Sequence, residues 1–258
     1  MPTQDSLFDL TGRVAVITGG SRGIGRAIAG GLAAAGADVV IASRKLDACE
    51  RAAAEIAAAT GRRALAVACH VGRWPDCDQL IDATYAEFGR CDVLVNNAGS
   101  SPLYDSLAGI TEEYFDKVTA VNLKGPFRLS ALVGEQMAAG GSIINVSSTG
   151  AVRPTGDIVP YAAAKAGVNA MTVGLADALG PKVRVNAIMP GPFLTSISRD
   201  WDMDKLARRT QAFPLRRAGE ADEITGAALY LASDASSFTT GTVLTVDGGA
   251  QWAMPARM

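Results

Sequence analysis

Thr18 to Gly25 reads TGGSRGIG, directly after the apolar run Val14 to Thr18 and at the head of a helical stripe of Ile24, Ala27, Ile28, Gly31, Leu32 and Ala35 that Gly36 ends. A strand, a glycine-rich turn and a helix N-terminus in that order offer backbone N–H groups and a helix dipole to a pyrophosphate. The spacing of Gly19, Gly23 and Gly25 is not GxGxxG, so the general dinucleotide fingerprint is not met as written. Glycine is still required wherever the backbone turns tightly or comes close to a phosphate.

Further runs of strand length follow: Val39 to Ser43, Ala64 to Cys69, Val93 to Asn96, Ile143 to Val146, Val183 to Met189 and Val243 to Val246. They are rich in Val, Ile and Leu without strict alternation, as strands buried on both faces are. Helical stretches separate them. The repetition predicts an α/β fold, a doubly wound parallel sheet of the Rossmann type with seven strands and helices on both faces. One domain over 1–258 is expected, since no Pro/Gly/Ser linker and no long charge run divides the chain.

With 24 basic and 26 acidic residues, a net charge of -2 offers no footprint for nucleic acid or anionic lipid. No stretch of 18 uncharged apolar residues occurs, and the first ten residues hold Asp5 and Asp9 but no Lys or Arg. A cytoplasmic protein without membrane or nucleic-acid partners is expected. The last residues, Ala256, Arg257 and Met258, differ from a Ser-Lys-Leu peroxisomal signal at every position. His70 is the sole histidine, which disfavours paired-histidine metal sites and most hydrolase triads. Cys49, Cys69, Cys77 and Cys91 show no Cys-x-x-Cys spacing and read as reduced thiols, and no metal is expected.

In dinucleotide folds the end of the second strand selects the cofactor: a carboxylate accepts from a ribose 2′-OH, whereas an arginine accommodates a 2′-phosphate. Here Ser43, Arg44 and Lys45 stand at that place, with Asp38 too early and Asp47 in the next helix. Arg22 adds a cation in the phosphate loop, and a guanidinium binds phosphate through paired charge-assisted hydrogen bonds. NADP(H) is the expected cofactor. Were Arg44 and Lys45 merely a solvated pair, an NAD-linked alcohol dehydrogenase would be the alternative.

Tyr161 and Lys165 lie four apart in a segment, Tyr161 to Leu179, that reads as helix, so both share one face. A tyrosine is a poor proton carrier at neutral pH, and a nearby ammonium favours its phenolate. Ser148 closes the run SIINVSS, where strand C-termini face a ligand crevice. Its hydroxyl suits a substrate oxygen, although Ser147 and Ser148 also suit an ordinary turn.

Together TGxxxGxG, Ser148, Tyr161 and Lys165 make the chain from Leu10 to Gly249 resemble the short-chain dehydrogenase/reductase family. Asn96 to Gly99, NNAG, is similar to the family's adenine-side support, and Asn122 in AVNLKG to its proton-relay asparagine. Pro190, Gly191 and Thr195 resemble the loop that holds the nicotinamide carboxamide, and Ala228 to Gly249 the last helix, strand and turn. The resemblance implies Tyr161 as general acid/base, Lys165 for ribose binding and lowering of the phenol pKa, Ser148 on the substrate oxygen and Asn122 in a water relay. It implies cofactor contacts from Gly19, Ser21, Arg22, Gly23, Ile24, Gly25, Ser43, Arg44, Lys45, His70, Val71, Asn97, Ala98, Gly99, Tyr161, Lys165, Pro190, Gly191 and Thr195. Homo-tetramer assembly is implied too, with the Gln251 to Met258 tail reaching a neighbouring subunit.

Two departures bear on this reading. Where the family usually has an aspartate after the third strand, His70 and Val71 stand, and His70 is expected to pack or to touch the adenine edge rather than to catalyse. The family's carrier-protein ketoacyl reductases tend to place basic residues just before strand five, and Met137 to Gly141 supplies none, which favours a free small carbonyl or alcohol. Residues 191–213 form an expected substrate lid, in which Trp201, Met203, Leu206 and Phe213, with Leu103 and Tyr104, suggest an apolar pocket. A non-catalytic nucleotide-binding sensor on the same fold is the competing class, and a hydrolase is poorer still without GxSxG.

Overall fold

The computed structural model describes residues 7–195, 198 and 202–252. Seven strands, β1 (Val14–Thr18), β2 (Asp38–Ser43), β3 (Ala64–Ala68), β4 (Val93–Asn96), β5 (Gly141–Val146), β6 (Val183–Pro190) and a C-terminal strand Val243–Val246, form one parallel sheet. The spatial order is 3-2-1-4-5-6 with the C-terminal strand beyond β6, so the winding reverses between β1 and β4. A crevice opens there at the strand C-termini, because the connections leave in opposite directions.

Helix α1 (Gly23–Ala34), α2 (Leu46–Thr60) and a helix at Thr225–Ala232 pack on one face through Ile28, Leu32, Ile56 and Leu231 against Ile17, Ile41, Val95 and Ile144. On the other face α3 (Trp74–Phe88), α5 (Gly125–Gln136) and α6 (Val159–Leu179) set Leu80, Leu129, Val133 and Ala176 against Val16, Val40, Leu94 and Val185. Alternate residues of one strand thus enter two different cores, which is why β1 reads as an unbroken apolar run.

Strand bounds differ slightly from the sequence reading. β2 begins at Asp38 because its backbone joins the ladder opposite Val14, and Asp38 itself accepts from Arg62 at 2.9 Å and Arg63 at 3.0 Å. β3 stops at Ala68, leaving Cys69 outside the strand. β5 ends at Val146, so Ser147 and Ser148 stand beyond the ladder rather than within it.

Between β4 and α5 the chain forms α4 (Glu112–Thr119), which runs into a π-helical turn, Ala120–Lys124, and on into α5. After β6 come β7 (Phe193–Leu194), α7 (Met203–Thr210) and β8 (Gly219–Glu220), with β7 and β8 paired parallel. The Thr225–Ala232 helix is α8, and the C-terminal strand is β9. Among the described residues no helix is long and apolar enough to cross a membrane, and no group of three or more His, Cys, Asp or Glu is arranged to hold a metal ion.

Candidate active site

The phosphate loop is shaped by backbone that only glycine tolerates well. Gly19 has φ +66° and Gly23 φ +53°, the left-handed region that L side chains rarely enter. Arg22, the residue before α1, makes no side-chain cap, and the first turn holds no acidic residue. The helix therefore keeps its N–H groups and its positive end for an anion. Gly25 serves a different purpose: a Cβ there would land on Gly19 O and on Asn97 Nδ2. It is the close packing of α1 on the loop that needs this glycine, and Ile24 between them is half-buried against the core.

Asn97 explains the loop's rigidity. Its Nδ2 donates to Thr18 O at 2.8 Å and Gly19 O at 3.3 Å, while Thr18 Oγ1 accepts from Asn97 N at 3.0 Å and Ala98 N at 3.1 Å. These bonds stitch β1 to β4 across the crevice. Asn96 turns the other way into the core, donating to Asn145 Oδ1 at 2.9 Å and Ser130 Oγ at 3.0 Å. The NNAG stretch thus divides its two amides between the loop and the sheet interior. Thr18, the first letter of the loop motif, was not singled out as a site residue from the sequence, although its place beside two glycines was the available signal.

At the end of β2, Ser43 Oγ accepts from Ser21 Oγ at 3.0 Å and lies 3.0 Å from Cys49 Sγ, so the phosphate loop and β2 are joined through two hydroxyls. Arg22, Arg44 and Lys45 are exposed, and Arg22 and Arg44 make no ion pair among the described residues. The two carboxylates nearest in sequence are occupied elsewhere. Asp38 sits at the opposite end of β2, and Asp47 pairs with Arg51 at 3.0 Å. His70 is engaged by its own turn: its backbone N–H donates to Asp76 Oδ2 at 3.0 Å, and its ring Nδ1 accepts from Gly72 N at 3.2 Å. Val71 is buried, with its carbonyl accepting from Cys77 Sγ at 3.3 Å.

Ser148, Tyr161 and Lys165 come together beyond β5. Ser148 caps the short 3-10 turn Thr149–Ala151, its Oγ accepting from Gly150 N at 3.1 Å. A Cβ on Gly150 would lie 3.3 Å from Ser148 Oγ and 3.9 Å from Tyr161 Cε1, so this glycine leaves the space in which the two side chains meet. Tyr161 is in the first turn of α6 and Lys165 one turn later, with Lys165 Nζ 5.8 Å from the Tyr161 ring centre. Lys165 is only 3% exposed and donates to Val146 O at 2.7 Å. Burial without a carboxylate partner lowers its ammonium pKa to about 8.

The expected lowering of the Tyr161 phenol is corrected by the structure. Burial of the phenol raises its pKa above the ordinary value, and the opposing hydrogen bond from Ser148 does not reverse this. Lys165 donates instead to the Val146 carbonyl, and desolvation is the larger influence on the phenol. Asn122 lies in the π turn, fully buried, with Nδ2 donating to Ser100 O at 2.7 Å and Val118 O at 2.8 Å and Oδ1 accepting from Ser100 N at 3.2 Å. A Cβ on Gly99 would be 3.1 Å from Asn122 Oδ1 and 3.6 Å from Lys165 Nζ, so Gly99 keeps open the space these two groups share.

Pro190 pairs with Val246, and Gly191 donates its N–H to Val246 O at 3.0 Å, with Asp247 too close for any Cβ on Gly191. Thr195 packs 3.2 Å from the Cβ position of Gly23 and so connects the segment after β6 to the phosphate loop. In the expected lid Phe213 is buried and Leu206 half-buried, but Met203 is 50% exposed, and Leu103 is 88% exposed. Phe213 and Leu206 are thus the covered apolar residues of this segment, while Met203 and Leu103 present their side chains to solvent. Trp201 lies outside the described residues, as do 253–258 of the expected inter-subunit tail.

The cradle, the Ser148–Tyr161–Lys165 group and Asn122 all gather at the C-terminal edge of the sheet around the point where its winding reverses. A family model described as enoyl-(acyl carrier protein) reductase matches residues 19–251. Dehydrogenase/reductase SDR family member 4 of Homo sapiens is 36% identical over 93% of this chain and 88% of its own length. A short-chain type dehydrogenase/reductase from Mycobacterium marinum superposes with a TM-score of 0.88 at 35% identity, covering 95% of this chain and 98% of that one. A blue fluorescent protein from a metagenomic library, solved in complex with NADPH, superposes with a TM-score of 0.88 at 32% identity, covering 94% of this chain and 99% of that one. Sequence, fold and site geometry agree that the chain belongs to the short-chain dehydrogenase/reductase family of oxidoreductases.

Proposed function

We propose that this protein is an NADP(H)-dependent oxidoreductase that interconverts a small carbonyl compound and the corresponding secondary alcohol. The observation that carries the reading is the convergence of Ser148, Tyr161 and Lys165 beyond β5, one helical turn separating the last two. The glycine cradle fits a dinucleotide: Gly19 and Gly23 give the backbone its turn, α1 offers uncapped N–H groups, and Gly99 leaves room beside Lys165. Arg44, with Arg22 and Lys45, suits a 2′-phosphate and supports NADP(H) over NAD(H). A nicotinamide supplies or accepts the hydride when bound.

The protein's own groups handle the oxygen and its proton. Ser148 donates a hydrogen bond to the carbonyl oxygen, and the Tyr161 phenol delivers its proton there as negative charge develops. Burial keeps the phenol protonated at neutral pH, so the acid form needed for carbonyl reduction is the resting form. Lys165 and water near Asn122 return a proton to Tyr161. Residues 191–213 act as the lid over the substrate, and the lack of basic residues from Met137 to Gly141 supports a free small molecule over a carrier-borne one.

Assembly as a homo-tetramer accompanies this reading, supported by outward-facing Phe127 on α5 and Val173 on the neighbouring α6, 45% and 56% exposed. Sedimentation at the 26.6 kDa of one chain would count against it. The function is tested by turnover of a broad carbonyl panel with NADPH, beside Tyr161→Phe. Wild-type turnover that the variant loses by about 10²- to 10⁴-fold, with cofactor affinity retained, supports the assignment. Tight NADPH binding with no turnover of any carbonyl would instead favour a nucleotide sensor.

A further inference from the structure

The helix that presents Tyr161 starts without a cap of its own. Ile158, at the N-cap position of α6, has no side-chain capping bond, and Pro160 in the first turn has no N–H. The first intrahelical donor is Ala162 N, which reaches Ile158 O at 2.8 Å. Val159 N is therefore among the helix's orphan donors, which must find a partner outside the helix. That partner comes from 55 residues away: Tyr104 Oη accepts from Val159 N at 2.9 Å and donates to Gly156 O at 2.7 Å. One phenolic hydroxyl closes the turn from Gly156 to Val159 and supplies the cap.

Tyr104 belongs to the segment after β4, which carries Asn97 and Gly99 at its start. Its ring meets Tyr114 of α4 edge-on, with centroids 5.9 Å apart, and Tyr114 Oη donates to Pro102 O at 2.5 Å. Tyr104 is thus held from behind while its hydroxyl holds the first turn of α6, two residues before Tyr161. A small displacement of a reacting group costs rate steeply, whereas it changes ground-state binding of a cofactor held elsewhere very little.

We infer that Tyr104 is a positioning residue for Tyr161, acting as a long-range cap that fixes the first turn of α6 against the segment following β4. The inference rests on the proposed role of Tyr161 as proton donor. Tyr104→Phe removes both hydrogen bonds and keeps the ring against Tyr114.

With a carbonyl that the wild type reduces, Tyr104→Phe is expected to lower kcat by between about ten- and a hundred-fold while leaving NADPH affinity, read by nicotinamide fluorescence, within about two-fold. Hydrogen exchange adds a readout independent of turnover. The Val159 amide is expected to be protected in the wild type and to exchange about ten-fold faster in Tyr104→Phe, as a donor that has lost its acceptor does. Unchanged kcat together with unchanged Val159 exchange overturns the inference, as does a Val159 amide that is unprotected in the wild type, a result that needs no variant to fold. A loss confined to KM and melting temperature, with kcat intact, shows a merely structural residue and overturns it too. If Tyr161→Phe keeps its turnover while Val159 exchange responds to Tyr104→Phe, the proton-donor reading has failed and the cap alone stands.

Discussion

Lys165 Nζ donates to Val146 O at 2.7 Å, joining the second turn of α6 to the last residue of β5 inside a site that leaves the side chain 3% exposed. One carbonyl oxygen is a modest partner for a charge taken out of water, and the ammonium pKa falls from 10.5 to about 8. The folded state then binds fewer protons than the unfolded chain between these values, so stability rises with pH across that window. Relative to Lys165→Met, the wild type is expected to gain up to roughly 3 kcal/mol between pH 8 and 10.5, measured by denaturant titration at several pH values. Parallel pH curves for the two proteins would refute this account of Lys165.

The two directions of the reaction are expected to respond differently to pH. Tyr161 is protonated at rest because burial raises its pKa, so carbonyl reduction stays flat through neutrality. Alcohol oxidation needs the phenolate and is expected to climb steadily with pH across this range, with Lys165 losing its proton around pH 8. Initial rates in both directions from pH 6 to 10 decide it. An oxidation rate independent of pH would remove Tyr161 from the proton path.

Arg44→Ala is expected to weaken NADPH binding by about ten- to a hundred-fold and to leave NADH unchanged, as the loss of a charge-assisted hydrogen bond to a phosphate predicts. Titration of each cofactor by nicotinamide fluorescence is the measurement. Equal affinities for the two cofactors in the wild type would mean that Arg44 and Lys45 face only solvent.

Gly25→Ala sets a methyl group against Gly19 O and the amide of Asn97, neither of which can yield without opening the phosphate loop. A destabilisation of about 1–3 kcal/mol is expected, together with loss of cofactor affinity. Gly61→Ala, where nothing lies within 4 Å, separates the packing argument from the conformational one, because Gly61 has φ +69° and pays only for its backbone. Thermal melts with and without NADPH compare them.

All four cysteines are buried, and burial is the first cause raising the pKa of Cys49 and Cys91. A disulfide-based thiol reagent is expected to modify none of them quickly in the native protein and all four after denaturation. Rapid labelling of a native thiol would show that one of the buried faces opens easily.

The parallel sheet was legible because β1, β4 and β5 are buried along their whole length and mostly apolar, and a run such as VAVIT has few other uses. The chemistry of the crevice was legible for the same reason that motifs work: Gly19 and Gly23 need unusual backbone, and Tyr161 and Lys165 share a helical face. What stayed hidden depends on which side chains meet across long separations. Nothing in the sequence places the Tyr104 hydroxyl at the start of α6, or joins Asn97 to Thr18, or directs Lys165 toward a carbonyl rather than toward Tyr161. The phenol pKa went the wrong way in the sequence reading because a four-residue spacing shows proximity and says nothing of solvent.

The π turn at Ala120–Lys124 makes α4 and α5 a single rod that contains one residue too many. Shortening the rod by a residue, for instance by deleting Val121, would let the ordinary 3.6-residue repeat run through. Everything on one side would then swing by about 100° around the axis relative to the other. Either the amide of Asn122 would leave Ser100, or the apolar face that α5 shows the sheet would turn away. The inserted residue is thus a small angular correction, allowing one continuous helix to serve the crevice at its middle and the core along its second half.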